Sequence, residues 1–244
     1  MTTVKLNPSL PRHAAVGLAI REEIAQGVWR PGDKLPPIRL LAERYDVSIA
    51  SIRRAIETLI EANVLIGVQG NGIFVRSFRK TGYWNRFHRY QRKDGTLITV
   101  YDDQLVSYEL VQASAEIAAE LGVKEGTWLI HWKSSMAFDG HFAGYDQAWL
   151  PRDVVPNLRP EHFLERPKDE SVYALYEESD GLFITSSNDR IQAAVNGVDP
   201  LVSIPSEAGI PLLIIKRTSL DIRRRCVEFR MMMADARTVQ IYTE

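Results

Sequence analysis

The side chains that most often carry enzyme chemistry are present in this chain, but they form no recognised pattern. The paired carboxylates Glu177-Glu178 and Asp102-Asp103 are typical of solvated surfaces. No HExxH, GxSxG, P-loop or dinucleotide-binding fingerprint occurs. The histidines lack metal-ligand spacing, and they are His13, His88, His131, His141 and His162. The sequence therefore predicts no catalytic site, no metal site and no cofactor, and Cys226, as the only cysteine, excludes an internal disulfide.

A different chemistry is indicated by arginines and hydroxyls close to the N-terminus. Residues 35–56 fit two short helices: Pro36-Pro37 can open the first, Asp46-Val47 can form a turn, and Ser48 can cap the second. Two short strands follow around the tip Gly70-Asn71-Gly72. This order predicts a winged helix-turn-helix, which is an architecture that reads DNA.

The second helix of this motif leaves several side chains outside its apolar stripe. Its core spacing is Ile52, Ala55, Ile56 and Leu59, so the residues between them face solvent. A helix presented in this way fits the major groove, and a glycine tip can approach the minor groove closely. Whether each arginine meets a base or a phosphate stays open. The residues expected to contact DNA are Arg39, Ser48, Ile49, Ser51, Arg53, Arg54, Gly70, Asn71 and Gly72.

The segment before this motif is predicted to be a supporting helix. Apolar residues from 10 to 26 recur near helical spacing, and Ala14, Leu18, Ala19 and Ile24 are expected to form its buried face. We expect this helix to support the reading helix without contacting DNA.

The charge of the chain is unevenly distributed. The net charge of −1 combines 16 Lys/Arg against 7 Asp/Glu in residues 1–93 with 14 against 24 in residues 94–244. A basic front half is expected of a surface that binds phosphates, and an acidic rear half argues that DNA contacts the front alone.

Length and composition favour an ordinary globular protein with two domains. The 244 residues are 45% hydrophobic and 25% charged. Apolar runs such as Leu212 to Ile215 are far shorter than a membrane helix, and no secretory segment opens the chain. These features predict a cytoplasmic protein without a membrane partner.

The N-terminal motif resembles the winged helix-turn-helix of the GntR family of bacterial transcription regulators. This resemblance implies binding of double-stranded operator DNA as a homodimer. Two departures stand out: Ile49 replaces an arginine that the family commonly directs at a guanine, and Pro37-Ile38 replaces a serine and a glutamate. Ile49 can instead contact a thymine methyl group. The matching residues are Gly27, Pro31-Gly32-Asp33-Lys34-Leu35-Pro36, Arg39, Leu41-Ala42, Val47-Ser48, Arg53, Ala55, Leu59, Gly70, Gly72 and Phe74-Val75.

The rest of the chain is predicted to be rich in strands. Alternating apolar residues from Trp128 to Phe138, with a hairpin partner from Phe142 to Leu150, indicate antiparallel pairing. Residues 77–95 interleave basic and aromatic side chains, and we interpret them as a linker plus a first strand rather than a platform for single-stranded nucleic acid. Further strands are predicted at 183–194, 212–220 and 226–233, and helices at 114–121 and 171–178.

This C-terminal part resembles the UTRA ligand-sensing domain of the HutC-type branch of GntR regulators. The resemblance implies an α+β chorismate-lyase-like fold, with an antiparallel sheet, flanking helices, a small-molecule pocket and a dimer interface. The domains are then 1–76 for DNA binding, 77–95 for the linker and first strand, and 96–244 for effector binding and dimerisation. The matching residues are Ala113-Ser114, Ala118, Leu121-Gly122, Asp139-Gly140, Trp149-Leu150-Pro151, Ser171-Val172-Tyr173, Pro211-Leu212-Leu213, Arg217 and Val227-Glu228-Phe229.

The pocket implied by this resemblance departs from relatives that bind sugar phosphates. Ser134 and Met136 stand where such relatives often have two arginines, so a phosphate would lose its bidentate partners. Asp146 and Glu228 match frequent acidic pocket residues, and Phe142 and Tyr145 add to the aromatic pattern. We expect a planar or aromatic effector. The residues expected to bind it are Trp132, Ser134, Met136, Phe138, Asp146, Ser171, Tyr173, Arg217 and Glu228.

The sequence thus predicts a transcription regulator, and more specifically a repressor released from its operator by a small-molecule metabolite. The alternative is a chorismate-lyase-like enzyme with an accessory DNA-binding head, which would depend on fold analogy alone. The residues leave open the effector, the operator, the regulated genes and whether the protein represses or activates.

Overall fold

The computed structural model describes residues 6–79, 90–96, 98, 103–138, 141–167, 170–198 and 204–242. Residues 6–79 contain a winged helix-turn-helix, called the head. Its elements are α1 (Arg12–Ala25), α2 (Ile38–Tyr45), α3 (Ile49–Glu61), β1 (Leu65–Val68) and β2 (Gly72–Val75).

The turn between α2 and α3 has the geometry that the sequence predicts. Asp46 ends α2 in the left-handed conformation with φ 51°. Ser48 then caps α3, because its hydroxyl accepts a hydrogen bond of 3.2 Å from the backbone N–H of Ser51. All four predicted core residues of α3 are buried, which leaves the opposite side of the helix to solvent.

The buried face of α1 differs from the predicted one. Leu18, predicted to be buried, is 53% exposed, whereas Val16, Ile20 and Ile24 are buried against the rest of the head. These three residues are four apart and form one stripe. Glu23 lies beside this stripe and is also buried, which a pattern of apolar residues alone does not reveal.

Glu23 joins three parts of the head through one carboxylate. Tyr45 Oη and Trp29 Nε1 donate hydrogen bonds of 2.8 and 2.7 Å to its Oε2, and Arg44 donates one of 2.8 Å to its Oε1. These donors compensate the cost of burying the charge. Glu23 therefore fixes α2 and the loop after α1 relative to α1.

The C-terminal domain is built on a six-stranded antiparallel sheet with the order β4-β5-β6-β9-β8-β7. Two three-stranded meanders, β4 to β6 and β7 to β9, meet where β6 pairs with β9. A separate small sheet pairs β10 with β3. The strands are β3 (Tyr90–Arg92), β4 (Gln104–Gln112), β5 (Trp128–Phe138), β6 (His141–Pro151), β7 (Ile184–Val195), β8 (Pro211–Asp221), β9 (Cys226–Asp235) and β10 (Val239–Ile241).

Helices cover both faces of this sheet. α6 (Val172–Asp180) packs on the face that contains Trp132 and Ala148, called the inner face, and α4 (Ala115–Leu121) packs on the other. The short α5 (Pro160–Glu165) lies beside α6 and β4. The predicted strands and the predicted helices α4 and α6 are present, whereas β4, β10 and α5 were not predicted. None of the helices in the described ranges has both the length and the apolar composition needed to cross a membrane.

The head packs against the C-terminal domain, and this contact is called the seat of the head. Phe183 and Ile222 of that domain belong to the same buried cluster as the apolar core of the head. Nearby, Arg223 donates a hydrogen bond of 3.0 Å to Glu22 of α1. Two residues from outside the head thus complete its hydrophobic core.

Candidate functional site

The exposed side of α3 carries the predicted reading residues. Arg53 and Arg54 are exposed, and Ile49 in the first turn is 45% exposed. Ser51 is half-buried, and its hydroxyl lies 3.0 Å from that of Ser48, so the two hydroxyls form one polar group at the start of the helix. This arrangement presents two guanidiniums, two hydroxyls and one branched apolar side chain in the manner of a recognition helix.

Arg39 lies on α2 and is also exposed. Its Nε is 3.6 Å from Glu43 one turn later, and both side chains are open to solvent. Exposed ion pairs of this kind contribute little free energy, so the guanidinium can exchange Glu43 for a phosphate.

The wing tip is exposed from Gly70 to Gly72, with positive φ values of 73° and 115° at its two glycines. Sequence reasoning missed Lys34 as part of this tip. A Cβ added at Gly72 would lie 2.8 Å from Lys34 Cε, and Lys34 Nζ is 5.8 Å from the centroid of the Phe74 ring. The wing thus carries a positive charge beside Asn71, which suits the approach to a phosphate backbone.

The predicted effector residues converge on the inner face of the large sheet. Alternation along the strands brings them together: Ser134 is opposite Asp146, and Arg217 is opposite Arg230. Ser171 caps α6 above this face through a hydrogen bond of 3.2 Å from the backbone N–H of Tyr173. The side chain of Phe138 lies outside the described residues. The residues placed on or above this face are Trp132, Ser134, Met136, Asp146, Ser171, Tyr173, Arg217 and Glu228.

Glu228 is the centre of a buried hydrogen-bond network. It accepts hydrogen bonds from Ser219 Oγ at 2.6 Å, Tyr176 Oη at 2.9 Å and Tyr173 Oη at 3.1 Å. Burial, and then the charge of Glu228, raises the pKa of both tyrosines, so both hydroxyls stay protonated and donate. Trp132 Nε1 extends the network to Tyr176 Oη at 2.9 Å.

Two buried guanidiniums lie beside this network. Arg217 donates two hydrogen bonds of 2.7 Å to Asp189, and Arg230 pairs in the same bidentate way with Asp146. Burial acts to lower the pKa of Arg230, but Asp146 outweighs it and the pKa is raised. The inner face therefore combines fixed charges with tyrosine and serine hydroxyls.

The aromatic residues of the predicted pocket fall into two groups. Trp132 and Tyr173 lie on the inner face, where each already has a hydrogen-bond partner. Tyr145 instead packs with the cluster around Ile204 on the other face, and Phe142 contacts it with ring centroids 5.3 Å apart. Of the four predicted aromatic residues whose side chains the structure describes, two thus lie beside the buried charges.

One carboxylate links the inner face to the chain that leaves the wing. Glu177 on α6 accepts a hydrogen bond of 2.8 Å from Ser77 Oγ and one from Phe78 N–H, 3.1 Å from both carboxylate oxygens. Burial raises the pKa of Glu177 to about 7, although these hydrogen bonds act to lower it. The Phe78 ring also packs against Tyr173, with centroids 5.1 Å apart. The end of the wing is therefore tied to the helix that covers the inner face.

Comparison with known protein families gives these two surfaces a context. Residues 13–75 match the model of the bacterial regulatory proteins of the gntR family, and residues 99–238 match the UTRA domain. The UTRA match covers more than half of the chain. This chain is a GntR-family transcription regulator with a UTRA domain. The head of the regulator is its DNA-binding domain, and the sheet domain is its effector-binding domain.

Curated relatives of the regulator are named as transcriptional repressors. The "Probable fructoselysine utilization operon transcriptional repressor" of Escherichia coli K12 is 26% identical over 222 residues, which cover 86% of this chain and 84% of that protein. The mannosyl-D-glycerate transport/metabolism system repressor MngR of E. coli K12 is 24% identical over 165 residues, covering 65% and 69%. These relatives are transcription regulators.

Solved structures share the fold of the regulator. YydK from Bacillus subtilis matches with a TM-score of 0.54 and 19% identity, covering 96% of this chain and 99% of its own. The ligand-binding domain of a GntR-family regulator from Bordetella bronchiseptica matches with a TM-score of 0.59 and 20% identity, covering 65% and 97%. The α+β fold predicted from the sequence is confirmed.

Sequence reasoning missed several residues of the regulator that the structure places at these sites. Tyr176 and Glu177 lie one helical turn beyond Tyr173, and helical spacing offered a signal for Tyr176. The prediction that Glu177 belongs to a solvated surface was wrong, because this carboxylate is buried and accepts hydrogen bonds from Ser77 and Phe78. Arg230 lies two residues after Glu228 on the same strand, so period-two alternation puts it on the same face. Cys226 is a half-buried residue at the start of β9.

Proposed function

We propose that the regulator is a homodimeric repressor that leaves its operator when a small molecule occupies the inner face. The observation that carries this proposal is the double attachment of α6. Its tyrosines donate to Glu228 on the sheet, and Glu177 one turn later holds Ser77 and Phe78 at the end of the wing. A ligand that moves α6 therefore acts directly on the segment that carries the head.

Coupling of this kind needs two arrangements of the head with different affinities for the ligand. In the arrangement described here, Phe183 and Ile222 fill the core of the head, and Arg223 binds Glu22. A coupling free energy of about 1 to 3 kcal/mol changes operator affinity roughly 5- to 150-fold. The free energies of the hydrogen bonds of Glu177 and of the contact between the head and the C-terminal domain are together of that order.

The contact with DNA is proposed for Arg39, Ser48, Ile49, Ser51, Arg53 and Arg54 together with the wing tip at Gly70, Asn71 and Gly72. Their support is that all of them except the half-buried Ser51 are exposed, and that three of them carry a guanidinium. Domain boundaries at 76 and 95 also belong to this proposal. The segment between them supplies the joint, of which the structure describes Ser77 to Arg79 and the strand from Tyr90.

A second copy of the chain is the proposed protein partner. Leu110 and Trp128 are 54% and 52% exposed and lie near each other on β4 and β5, at one edge of the large sheet. A pair of large apolar side chains at an uncovered edge is typical of an interface. Replacement of both by glutamate is expected to convert the dimer to monomers in analytical ultracentrifugation, and an unchanged sedimentation coefficient would contradict this interface.

The inner face is proposed to bind its small molecule without converting it, and the regulator is proposed to act in the cytoplasm. The support for both proposals is that the curated relatives are regulators. Formation of 4-hydroxybenzoate from chorismate by the purified protein, lost on Tyr173→Phe, would favour the enzyme instead.

The proposal is tested in two steps. Operators are first selected from a randomised DNA pool, and release of the selected DNA is then measured with a metabolite panel that begins with fructoselysine and mannosyl-D-glycerate. A releasing compound is next tested on a variant with a longer glycine-serine joint between residues 79 and 90. We expect that variant to keep its affinity for the compound and to lose release, whereas unchanged release would refute the coupling.

A further inference from the structure

One guanidinium on the inner face has a donor that no described protein group accepts. Arg230 is 3% exposed, and its Nε and Nη2 donate to the two carboxylate oxygens of Asp146, with 2.7 Å from Nε to Oδ1. Its Nη1 is also buried and lacks a hydrogen-bond partner within the described ranges. Buried donors in folded proteins are nearly always paired, so this atom is available to an acceptor atom from outside the described protein groups.

The direction of this donor is fixed from several sides. The Cζ atom of Arg230 lies 5.3 Å from the ring centroid of Trp132 on β5 and 5.5 Å from that of Tyr173 on α6. Asp146 on the neighbouring strand β6 holds the other two nitrogens. Because the guanidinium is planar, these contacts leave Nη1 little freedom, and a donor held in this way is preorganised for one acceptor position.

The charges around Arg230 decide which kind of acceptor fits. The two strand guanidiniums of the described inner face, on Arg217 and Arg230, lie among three carboxylates, on Asp146, Asp189 and Glu228. The nearby ion pair of Arg166 with Asp103 adds one charge of each sign and leaves this balance unchanged. Each strand guanidinium already has a bidentate carboxylate partner. Ser134, across the strand pair from Asp146, adds a hydroxyl without a charge. A dianionic phosphate would therefore meet a net negative surrounding, whereas a neutral oxygen can take the free donor without repulsion.

We propose that Nη1 of Arg230 donates a hydrogen bond to an uncharged oxygen of the effector, a carbonyl or a hydroxyl, and that the inner face thereby discriminates against phosphorylated ligands. This inference rests on the proposed function, since it takes the inner face as the effector site. It adds a specificity-determining residue and a ligand class to that function. The class is a neutral polar molecule with an oxygen acceptor.

Three small probes that carry the same methyl group test this inference without knowledge of the effector. Acetamide is neutral, acetate is a monoanion and methyl phosphate is mostly a dianion at neutral pH. Saturation-transfer NMR on the full chain measures binding of each methyl group at equal probe concentration. The variants are Arg230→Lys, which keeps the positive charge and shortens the donor group, and Arg225→Lys, a control on an exposed arginine in the turn between β8 and β9.

We expect wild type and Arg225→Lys to bind acetamide better than acetate or methyl phosphate, and Arg230→Lys to lose about tenfold in acetamide affinity. Ser134→Arg adds a guanidinium opposite Asp146 and is expected to shift the preference toward methyl phosphate, which provides a test even if Arg230→Lys does not fold. The inference is overturned if an anion binds wild type best, if acetamide binding does not depend on Arg230, or if no probe binds. These measurements contain no DNA, so their outcome is independent of operator release. The preference for acetamide can be absent while a metabolite still releases the operator, and operator release can be absent while the preference is found.

Discussion

Glu177 offers a test of the link between the wing and α6 through its ionisation. Replacement by glutamine keeps an oxygen that can accept from Ser77 and Phe78 and removes the charge. In the folded protein, burial raises the pKa of Glu177 from 4.5 to about 7. The folded chain therefore retains a proton that the unfolded chain has released over this range of pH.

The sign of the effect follows from this difference in proton binding. For a carboxyl with a raised folded pKa, the contribution to stability is fully present below the unfolded value near 4.5 and is lost as pH rises through about 7. A shift of roughly 2.5 pKa units corresponds to about 3 kcal/mol. The free energy of unfolding of the wild type should thus fall by about this amount, relative to Glu177→Gln, between about pH 4.5 and 8.

The assay is a paired series of urea unfolding curves for the two proteins across that range of pH. Glu178→Gln is the matched control. The carboxylate of Glu178 is next to Glu177 in the sequence, but it is exposed and lies 3.6 Å from Arg79. We expect the control to parallel the wild type. A difference between wild type and Glu177→Gln that stays flat with pH would refute the reasoning, since it would mean that the hydrogen bonds outweigh burial and keep Glu177 ionised throughout.

Three further predictions concern the head and the sheet. Ile49→Arg is expected to enrich operators with a guanine that wild type does not select from a randomised pool, and identical selected pools would count against a base contact at this position. Glu23→Ala leaves three donors without their acceptor and should lower the free energy of unfolding by about 3 kcal/mol, measured against Glu57→Ala at an exposed position of α3. Gly144→Ala places a Cβ 1.8 Å from the carbonyl oxygen of Met233 and should lower the free energy of unfolding by at least about 2 kcal/mol, measured by thermal unfolding. A variant as stable as the wild type would show that β6 and β9 can separate locally.

The sequence predicted the parts of the fold whose signals are local. The Ser48 cap, the left-handed turn at Asp46 and the alternation in β5 each depend on a few neighbouring residues, and all three are present. The face of α1 was wrong at Leu18 because apolar residues occur on more than one side of this helix, and packing against the rest of the head selects Val16, Ile20 and Ile24. The burial of Glu23 was not predicted either, because donors from other parts of the head make it possible.

The candidate effector site shows the same division between local and distant causes. Glu228, its partner Tyr173 and Asp146 were singled out from the sequence. Ser219, Tyr176 and Arg230 were not, because these partners of Glu228 and Asp146 come from other strands and from α6. Arg230 was missed although alternation places it beside Glu228. The pairing order of the strands could not be predicted from the sequence. In that order β6 lies next to β9, which brings Asp146 to Arg230.

The core that the head shares with Phe183 and Ile222 has a thermodynamic consequence. Whenever the head leaves its seat, these apolar side chains and their neighbours become hydrated, and hydration of apolar surface raises the heat capacity. If operator binding requires the head to leave, the heat-capacity change of binding will be less negative than the DNA contacts alone would give. The temperature dependence of operator affinity would then record the position of the head, without any structure of the complex.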